Sequence, residues 1–228
     1  MRYENIIAAK FIRRPNRFIA EVDIDGTHHL AHVKNTGRCR ELLLPNASVY
    51  LEKNNNPDRK TRYSLIGVQK GNRLINMDSQ APNKAFLEHL QRDGFTSFSG
   101  ITHVKPEAKF GNSRFDIYAE AGKRRALFEV KGVTLEIDGV AKFPDAPTQR
   151  GIKHLYGLEK AAEQGYEAFM IFVVQMSGIN HFTPNKDTHP EFAEALAKAI
   201  KNGVYAHALT CRITKTSMEI EAPIPVLV

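Results

Sequence analysis

Arg114-Phe115-Asp116-Ile117-Tyr118-Ala119-Glu120 alternates in character, turns through Ala121-Gly122-Lys123-Arg124, and returns as Arg125-Ala126-Leu127-Phe128-Glu129-Val130-Lys131. The period-2 pattern around a glycine-containing turn predicts a β-hairpin. A turn centred on Gly122-Lys123 opposes residues whose numbers sum to 245. One face then receives Phe115 with Val130, Ile117 with Phe128 and Ala119 with Ala126. The other receives Arg114 with Lys131, Asp116 with Glu129 and Tyr118 with Leu127. A slip of one residue would scramble that separation, so the apolar pattern itself supports the register. Asp116 and Glu129 become cross-strand neighbours, with Cβ atoms ~4.5–5.5 Å apart. Like charges so placed destabilise a hairpin unless a positive group stands between them. A divalent cation such as Mg²⁺ or Mn²⁺ fills that role, since hard cations prefer carboxylate oxygens. Lys131 lies two residues beyond Glu129 on the same face, where an ammonium positions water and offsets charge developing on a phosphoryl group. The bland reading of the same pattern is a surface hairpin with diagonal Arg114–Glu129 and Asp116–Lys131 pairs.

Before the hairpin, residues 6–75 read as short strands. Phe18 to Ile24 ends in Asp25-Gly26, a tight-turn signal, and His28 to Val33 returns. Ala47–Leu51, Ser64–Val68 and Arg73–Ile75 add further strands, which together predict a small closed or half-open barrel, of which the oligonucleotide-binding (OB) barrel is one architecture. From Ala81 the period changes. Helices are expected after Pro82 (Phe86, Leu87, Leu90 inward), over Thr148–Gln164 (Ile152, Leu155, Leu158, Ala162) and over Pro190–Asn202. Phe169 to Gln175 reads as a strand buried on both faces, and Ile213 to Ile220 as a last strand. The expectation is an α/β (α+β) protein in two parts, a barrel over residues 1–80 and a mixed sheet flanked by helices over 81–228.

Asp116 followed after twelve residues by Glu129-Val130-Lys131 resembles the core of the PD-(D/E)XK nuclease superfamily. More closely, Phe128-Glu129-Val130-Lys131-Gly132-Val133-Thr134-Leu135, then Phe143-Pro144-Asp145-Ala146-Pro147-Thr148 with Arg150-Gly151 and Lys153-His154, resembles the sugar fermentation stimulation protein A family, as does Asn35-Thr36-Gly37-Arg38-Cys39-Arg40-Glu41-Leu42. The resemblance implies an OB barrel, a nuclease-like second domain, nonspecific DNA binding and a regulatory role in maltose metabolism. Asp116 follows Phe115 rather than the proline of the superfamily's pattern.

Further candidates are ranked below the trio. Glu88 on the first helix and Glu107 before the hairpin are accessory acids. Arg150, Lys153 and His154 lie near the start of the second helix, off its apolar stripe, where helix N–H groups suit a phosphate. In the barrel, Arg13, Arg14, Arg17, Lys34, Arg38 and Arg40 form the expected nucleic-acid track, with Phe18 read as core. His28, His29 and His32 lack a partner acid or cysteine at ligand spacing and are not read as a metal site.

Composition sets the bounds. The 228 residues are 42% hydrophobic and 25% charged, an ordinary globular balance that argues against disorder and fibrous classes. No apolar run approaches the ~18 residues of a membrane span, and the first residues lead into no signal-type apolar core. Cys39 and Cys211 stand alone, as expected of reduced thiols in a cytoplasmic protein. Residues 1–80 hold 14 of the 32 basic and 8 of the 25 acidic side chains, so 6 of the net +7 charges fall in the barrel. That bias predicts a polyanionic partner. The combined expectation is a nonspecific DNA-binding protein whose Asp116, Glu129 and Val130 carbonyl hold Mg²⁺ or Mn²⁺ for phosphodiester hydrolysis. The alternative is a catalytically silent DNA-binding regulator that keeps the fold.

Overall fold

The computed structural model describes residues 1–228 apart from 36, 57, 58, 60 and 112. Thr36 of the Asn35–Leu42 stretch therefore lies outside the described residues.

The basic first third forms strands β1 (Ile6–Asn16), β2 (Ile19–Ile24), β3 (Thr27–Val33), β4 (Ser48–Lys53), β5 (Tyr63–Lys70) and β6 (Arg73–Asn76). β1 pairs antiparallel with both β2 and β4, β4 with β5, and a parallel β3–β5 pairing closes the ring. Alternate residues Ala20, Val22, Ala31, Val33, Val49 and Leu51 fill the interior. Two register breaks in β1, between Phe11 and Arg13 and between Arg13 and Asn16, bend this long strand so that it serves two neighbours. Asp25 and Gly26 both adopt positive φ (50° and 82°), the backbone that a two-residue hairpin turn requires.

The remainder begins with α1 (Ala81–Arg92) and continues through β7 (His103–Phe110), β8 (Ser113–Ala121), β9 (Arg124–Val133), β10 (Leu135–Ile137), β11 (Val140–Phe143), α2 (Gln149–Glu163), β12 (Glu167–Val174), β13 (His181–Pro184), α3 (Pro190–Lys201), β14 (Val204–Ile213) and β15 (Met218–Ile224). The main sheet has the order β15-β14-β12-β9-β8-β7, with β9, β12 and β14 parallel and antiparallel strands at both edges. β12 is central and its residues 168–174 are wholly buried. Phe86 and Leu90 of α1 cover one face with Phe128, Phe169 and Ile171. Leu155, Leu158, Phe192 and Leu196 of α2 and α3 cover the other with Met170 and Phe172. Thr148 caps α2 by accepting a hydrogen bond from the Gly151 N–H (3.0 Å).

The sequence expectation fails over Ile213–Ile220. That stretch is the end of β14, a turn over residues 214–217 and the start of β15, closed by a Thr214 N–H bond to the Ser217 carbonyl (2.9 Å). Its polar residues satisfy a turn and not a strand face. β7 escapes sequence reading because it is a mostly exposed edge strand with no apolar alternation.

The barrel and the α/β part share one continuous apolar cluster that includes Leu42, Met77, Val133 and Met176. Gln175 reinforces the contact: its side-chain amide donates to the Asn76 and Asp78 carbonyls and to Asn76 Oδ1. Glu136, on β10, reaches Lys70 of β5 (2.7 Å) and Arg73 of β6 (3.0 Å). Cys39 and Cys211 are free and buried. Among the described residues no helix is long and apolar enough to cross a membrane.

Candidate carboxylate site and nucleic-acid surface

The register read from the hairpin holds from Ala121↔Arg124 to Ile117↔Phe128. Beyond that point the two strands part company. β8 stays with β7 through Ala108↔Phe115 and Lys109↔Arg114, while β9 stays with β12 through Met170↔Glu129 and Ile171↔Val130. Asp116 and Glu129 sit where this fork opens. The alternation predicted for β8 also breaks there. Ile117 packs with Phe128 and Val130 on the α1 side, but Phe115 turns to the α2 side, where its ring lies 6.5 Å from that of His154. Phe115 and Val130 therefore do not share a face as the regular hairpin predicted. The cause is the divergence of the strands, which frees residues 113–116 from the β9 pleat.

Asp116 bridges the gap instead of facing Glu129 across a ladder. Its Oδ2 accepts from the Val130 backbone N–H (2.8 Å), and its Oδ1 accepts from the side-chain amide of Asn83 on α1 (2.7 Å). Glu129 projects toward α2 and is 2% exposed. Its Oε1 meets both Lys131 Nζ and His154 Nδ1. Arg150 Nε donates toward His154 Nε2 (3.4 Å), which is consistent with Nδ1 carrying the proton donated to Glu129. Lys131 Nζ lies 3.4 Å from His154 Nδ1.

These surroundings push the two carboxyls apart. Burial, and then the charge of Glu129, raise the Asp116 pKa above the usual carboxylate range against the pull of the Val130 N–H, Lys131 and Asn83. Burial also works upward on Glu129, but the His154 hydrogen bond and the Lys131 charge outweigh it, and its pKa is lowered. Two carboxyls at one site whose pKa values are pushed in opposite directions are a pattern typical of acid–base and metal chemistry.

Glu129 Oε2 is buried without a hydrogen-bond partner among the described residues. An orphaned carboxylate oxygen beside a second carboxylate fits a hard cation. Among the described residues no three His, Cys, Asp or Glu side chains form a metal cage. A cation here would therefore draw on two carboxylates and a main-chain oxygen, which is the donor set expected with the Val130 carbonyl.

Both accessory acids are corrected. Glu88 is drawn to the amino group of Met1 (2.6 Å), because it leaves α1 away from the fork; Asn83 is the α1 residue that reaches it. Glu107 is exposed at positive φ (58°) and pairs with Arg114, so the edge strand turns it outward. His154 does join Glu129, and Arg150 reaches it through His154. Asn83 carried no sequence signal, since a polar residue early in a helix is usually solvated.

The predicted barrel track divides. Arg14 is structural: its guanidinium donates to the carbonyls of Arg17, Asn35, Gly37 and Arg38 (2.6–3.0 Å). Arg13 pairs with Glu21 (2.7 Å) and Lys34 with Asp78 (2.9 Å). Arg17, Arg38 and Arg40 remain exposed around a concavity of about 330 Å³. Phe18, expected in the core, is 45% exposed with Arg17 4.8 Å over its ring, because the β1–β2 turn lifts it off the barrel. The Asn35–Leu42 and Phe143–Thr148 stretches meet: Asp145 accepts from the Arg38 N–H (2.9 Å). A Cβ on Gly37 would stand 2.2 Å from Asp145 Oδ2, so any larger residue would have to displace the carboxylate that accepts from Arg38. Between the two parts a cleft of about 180 Å³ runs from Gly132, next to Lys131, to Asp145.

A closed OB-like barrel joined to a helix-flanked mixed sheet that forks beside two carboxylates and a lysine defines the class of this protein, an OB-like barrel followed by an α/β sheet part. Residues 12–77 match the family model described as the SfsA N-terminal OB domain, and residues 80–217 match that of the sugar fermentation stimulation protein RE domain. The chain belongs to the sugar fermentation stimulation protein family. It is 56% identical over 219 residues to the homologue of Desulfitobacterium hafniense (strain Y51), covering 96% of this chain and 95% of that one. It is 52% identical over 227 residues to the homologue of Clostridium beijerinckii, covering both chains completely. Among solved structures it is similar to Pyrococcus furiosus SfsA in complex with Ca²⁺, with a TM-score of 0.90 and 28% identity over 100% of this chain and 98% of that one.

Proposed function

We propose that this protein binds DNA and hydrolyses its phosphodiester bonds at the Asp116–Glu129 fork with a divalent metal. The observation that carries this reading is the buried, unpartnered Oε2 of Glu129 beside Asp116, with Lys131 alongside. The Pyrococcus relative, described as a Ca²⁺ complex, supports a hard cation, because Ca²⁺ takes the same oxygen ligands as Mg²⁺ or Mn²⁺. Asp116, Glu129 and the Val130 carbonyl would hold it; when bound it supplies Lewis-acid polarisation of the phosphate and a more acidic water. Lys131 faces the same space and stabilises charge on the transferring phosphoryl group. His154, held by Arg150, fixes the Glu129 carboxylate. Arg17, Arg38, Arg40 and Phe18 supply phosphate contacts and a stacking ring on the barrel. In this reading the protein's tie to sugar fermentation runs through DNA.

One observation favours the silent alternative. Glu129 already pairs with the Lys131 ammonium and accepts a hydrogen bond from His154 without a metal. The deciding experiment is nicking of supercoiled plasmid by highly purified protein in Mn²⁺, Mg²⁺, Ca²⁺ or EDTA. Cleavage in Mn²⁺ that vanishes in Asp116→Ala and Glu129→Ala while DNA binding persists supports the hydrolase. Binding without cleavage in any metal selects the silent regulator, and equal cleavage by wild type and variants exposes a contaminant.

A further inference from the structure

The outer side of α2 carries a groove that the carboxylate cluster does not use. It encloses about 780 Å³ between α2 and the end of β7. Its charged lining is entirely basic among the described residues: Lys109 from β7, and Lys153 and Lys160 from α2. All three are exposed, and none is held in an ion pair among the described residues. Tyr156 stands between the two helix lysines on the same stripe and is 47% exposed. Tyr166 forms another wall, packed edge-on against Phe110 (5.4 Å) with Arg125 over its ring (4.3 Å).

The groove ends close to the fork, with the Phe115 ring between its floor and His154. Lys153 directly precedes His154, and Gly157 backs onto Phe115, whose ring also faces His154. A Cβ at position 157 would stand 3.0 Å from the Phe115 ring, so this glycine lets helix and strand approach closely enough to form the floor. From Lys153 to Gln164 the track is about 16 Å long.

We propose that this groove seats a single DNA strand and leads it to Asp116 and Glu129, giving the α/β part its own nucleic-acid track separate from the barrel. The inference rests on the nucleic-acid reading above. A basic lining without acids is complementary to phosphates; Tyr156, with Lys198 of α3 5.7 Å over one side of its ring, offers its other face to an unpaired base, a pairing typical of single-strand grooves. A duplex keeps its bases stacked inside and would meet only the lysines.

The test uses the full chain, a single-stranded 20-mer and the matching duplex, with ultraviolet crosslinking read by mass spectrometry on the wild type. Two variants accompany it, Lys153→Glu/Lys160→Glu and Tyr156→Ala, each checked for an unchanged thermal melt. Expected are crosslinks within residues 153–166, a tenfold or greater loss of single-strand affinity in both variants, and a log–log salt slope shallower by about 1.4 or more in the lysine variant. Duplex affinity should fall less than threefold in Tyr156→Ala. Crosslinks confined to the barrel, with single-strand affinity within twofold of wild type in both variants, would overturn the groove and leave the carboxylate reading standing. Equal losses on both DNAs in Tyr156→Ala would overturn the single-strand assignment. A wild type that binds no DNA would overturn this inference and the proposed function together.

Discussion

Glu136 joins the two halves of the molecule, and replacing it with glutamine tests how strongly. The side chain is 7% exposed, accepts from Lys70 (2.7 Å), Arg73 (3.0 Å) and the Gly139 N–H (2.7 Å), and so ties β10 to barrel strands β5 and β6. Burial alone would raise its pKa, but these partners, Lys70 first, bring it down from 4.5 to about 2. A gap of about 2.5 at 1.36 kcal/mol per unit corresponds to ~3.4 kcal/mol. The Lys70 and Arg73 side chains are 35% and 24% exposed, and solvent screening reduces that to about 1–2 kcal/mol. Glu136→Gln keeps the shape and the Gly139 contact while removing the charge. Because the folded pKa is depressed, the stabilisation is fully present above 4.5 and is lost as pH falls from there toward 2. At pH 7 the variant should melt about 3–6 °C below wild type. Urea titrations of both proteins at several pH values should show the difference shrinking as pH drops below 4.5. Equal stability at pH 7, or a difference that stays constant into acid, would refute the argument that the ion pairs hold the barrel on the α/β part.

Four further perturbations probe other contacts. Asn83→Asp places a second carboxylate 2.7 Å from Asp116; it should cost about 2 kcal/mol without metal, and millimolar Ca²⁺ should restore the melt more than in wild type, which calorimetry can check. Gly37→Ala drives a methyl into Asp145 and should lose about 1–3 kcal/mol by overpacking; an unchanged urea midpoint would mean that the Asn35–Leu42 and Phe143–Thr148 stretches do not pack as described. Arg14→Ala removes donors from four carbonyls and should cost about 3 kcal/mol. Arg38→Ala/Arg40→Ala, by contrast, should leave stability within about 0.5 kcal/mol and make the salt slope of duplex binding shallower by about 1.8.

Much of the architecture was legible because its signals are local. Period-2 alternation around Gly122-Lys123 set a register that holds from Ile117↔Phe128 to Ala121↔Arg124. The stripe of Leu155 and Leu158, bounded by Thr148 and Gly165, marked α2, and the unbroken apolar run from Phe169 marked a strand covered on both faces. Each signal depends on side chains a few residues apart, whose spacing the backbone geometry dictates. What the chain could not disclose depends on partners far away in sequence. β9 keeps its pairing with β12 but parts from β8 at Glu129, so the pleat breaks at Asp116 and Phe115 swings to α2. Asn83 and His154 reach the two acids from opposite helices, 33 and 25 residues distant. Arg14, read from its charge as a phosphate contact, is instead surrounded by loop carbonyls that only the closed barrel gathers. Local propensity determines which elements form; where a side chain finds its partner is decided when sheets and helices from separate stretches pack and each buried polar group must be satisfied.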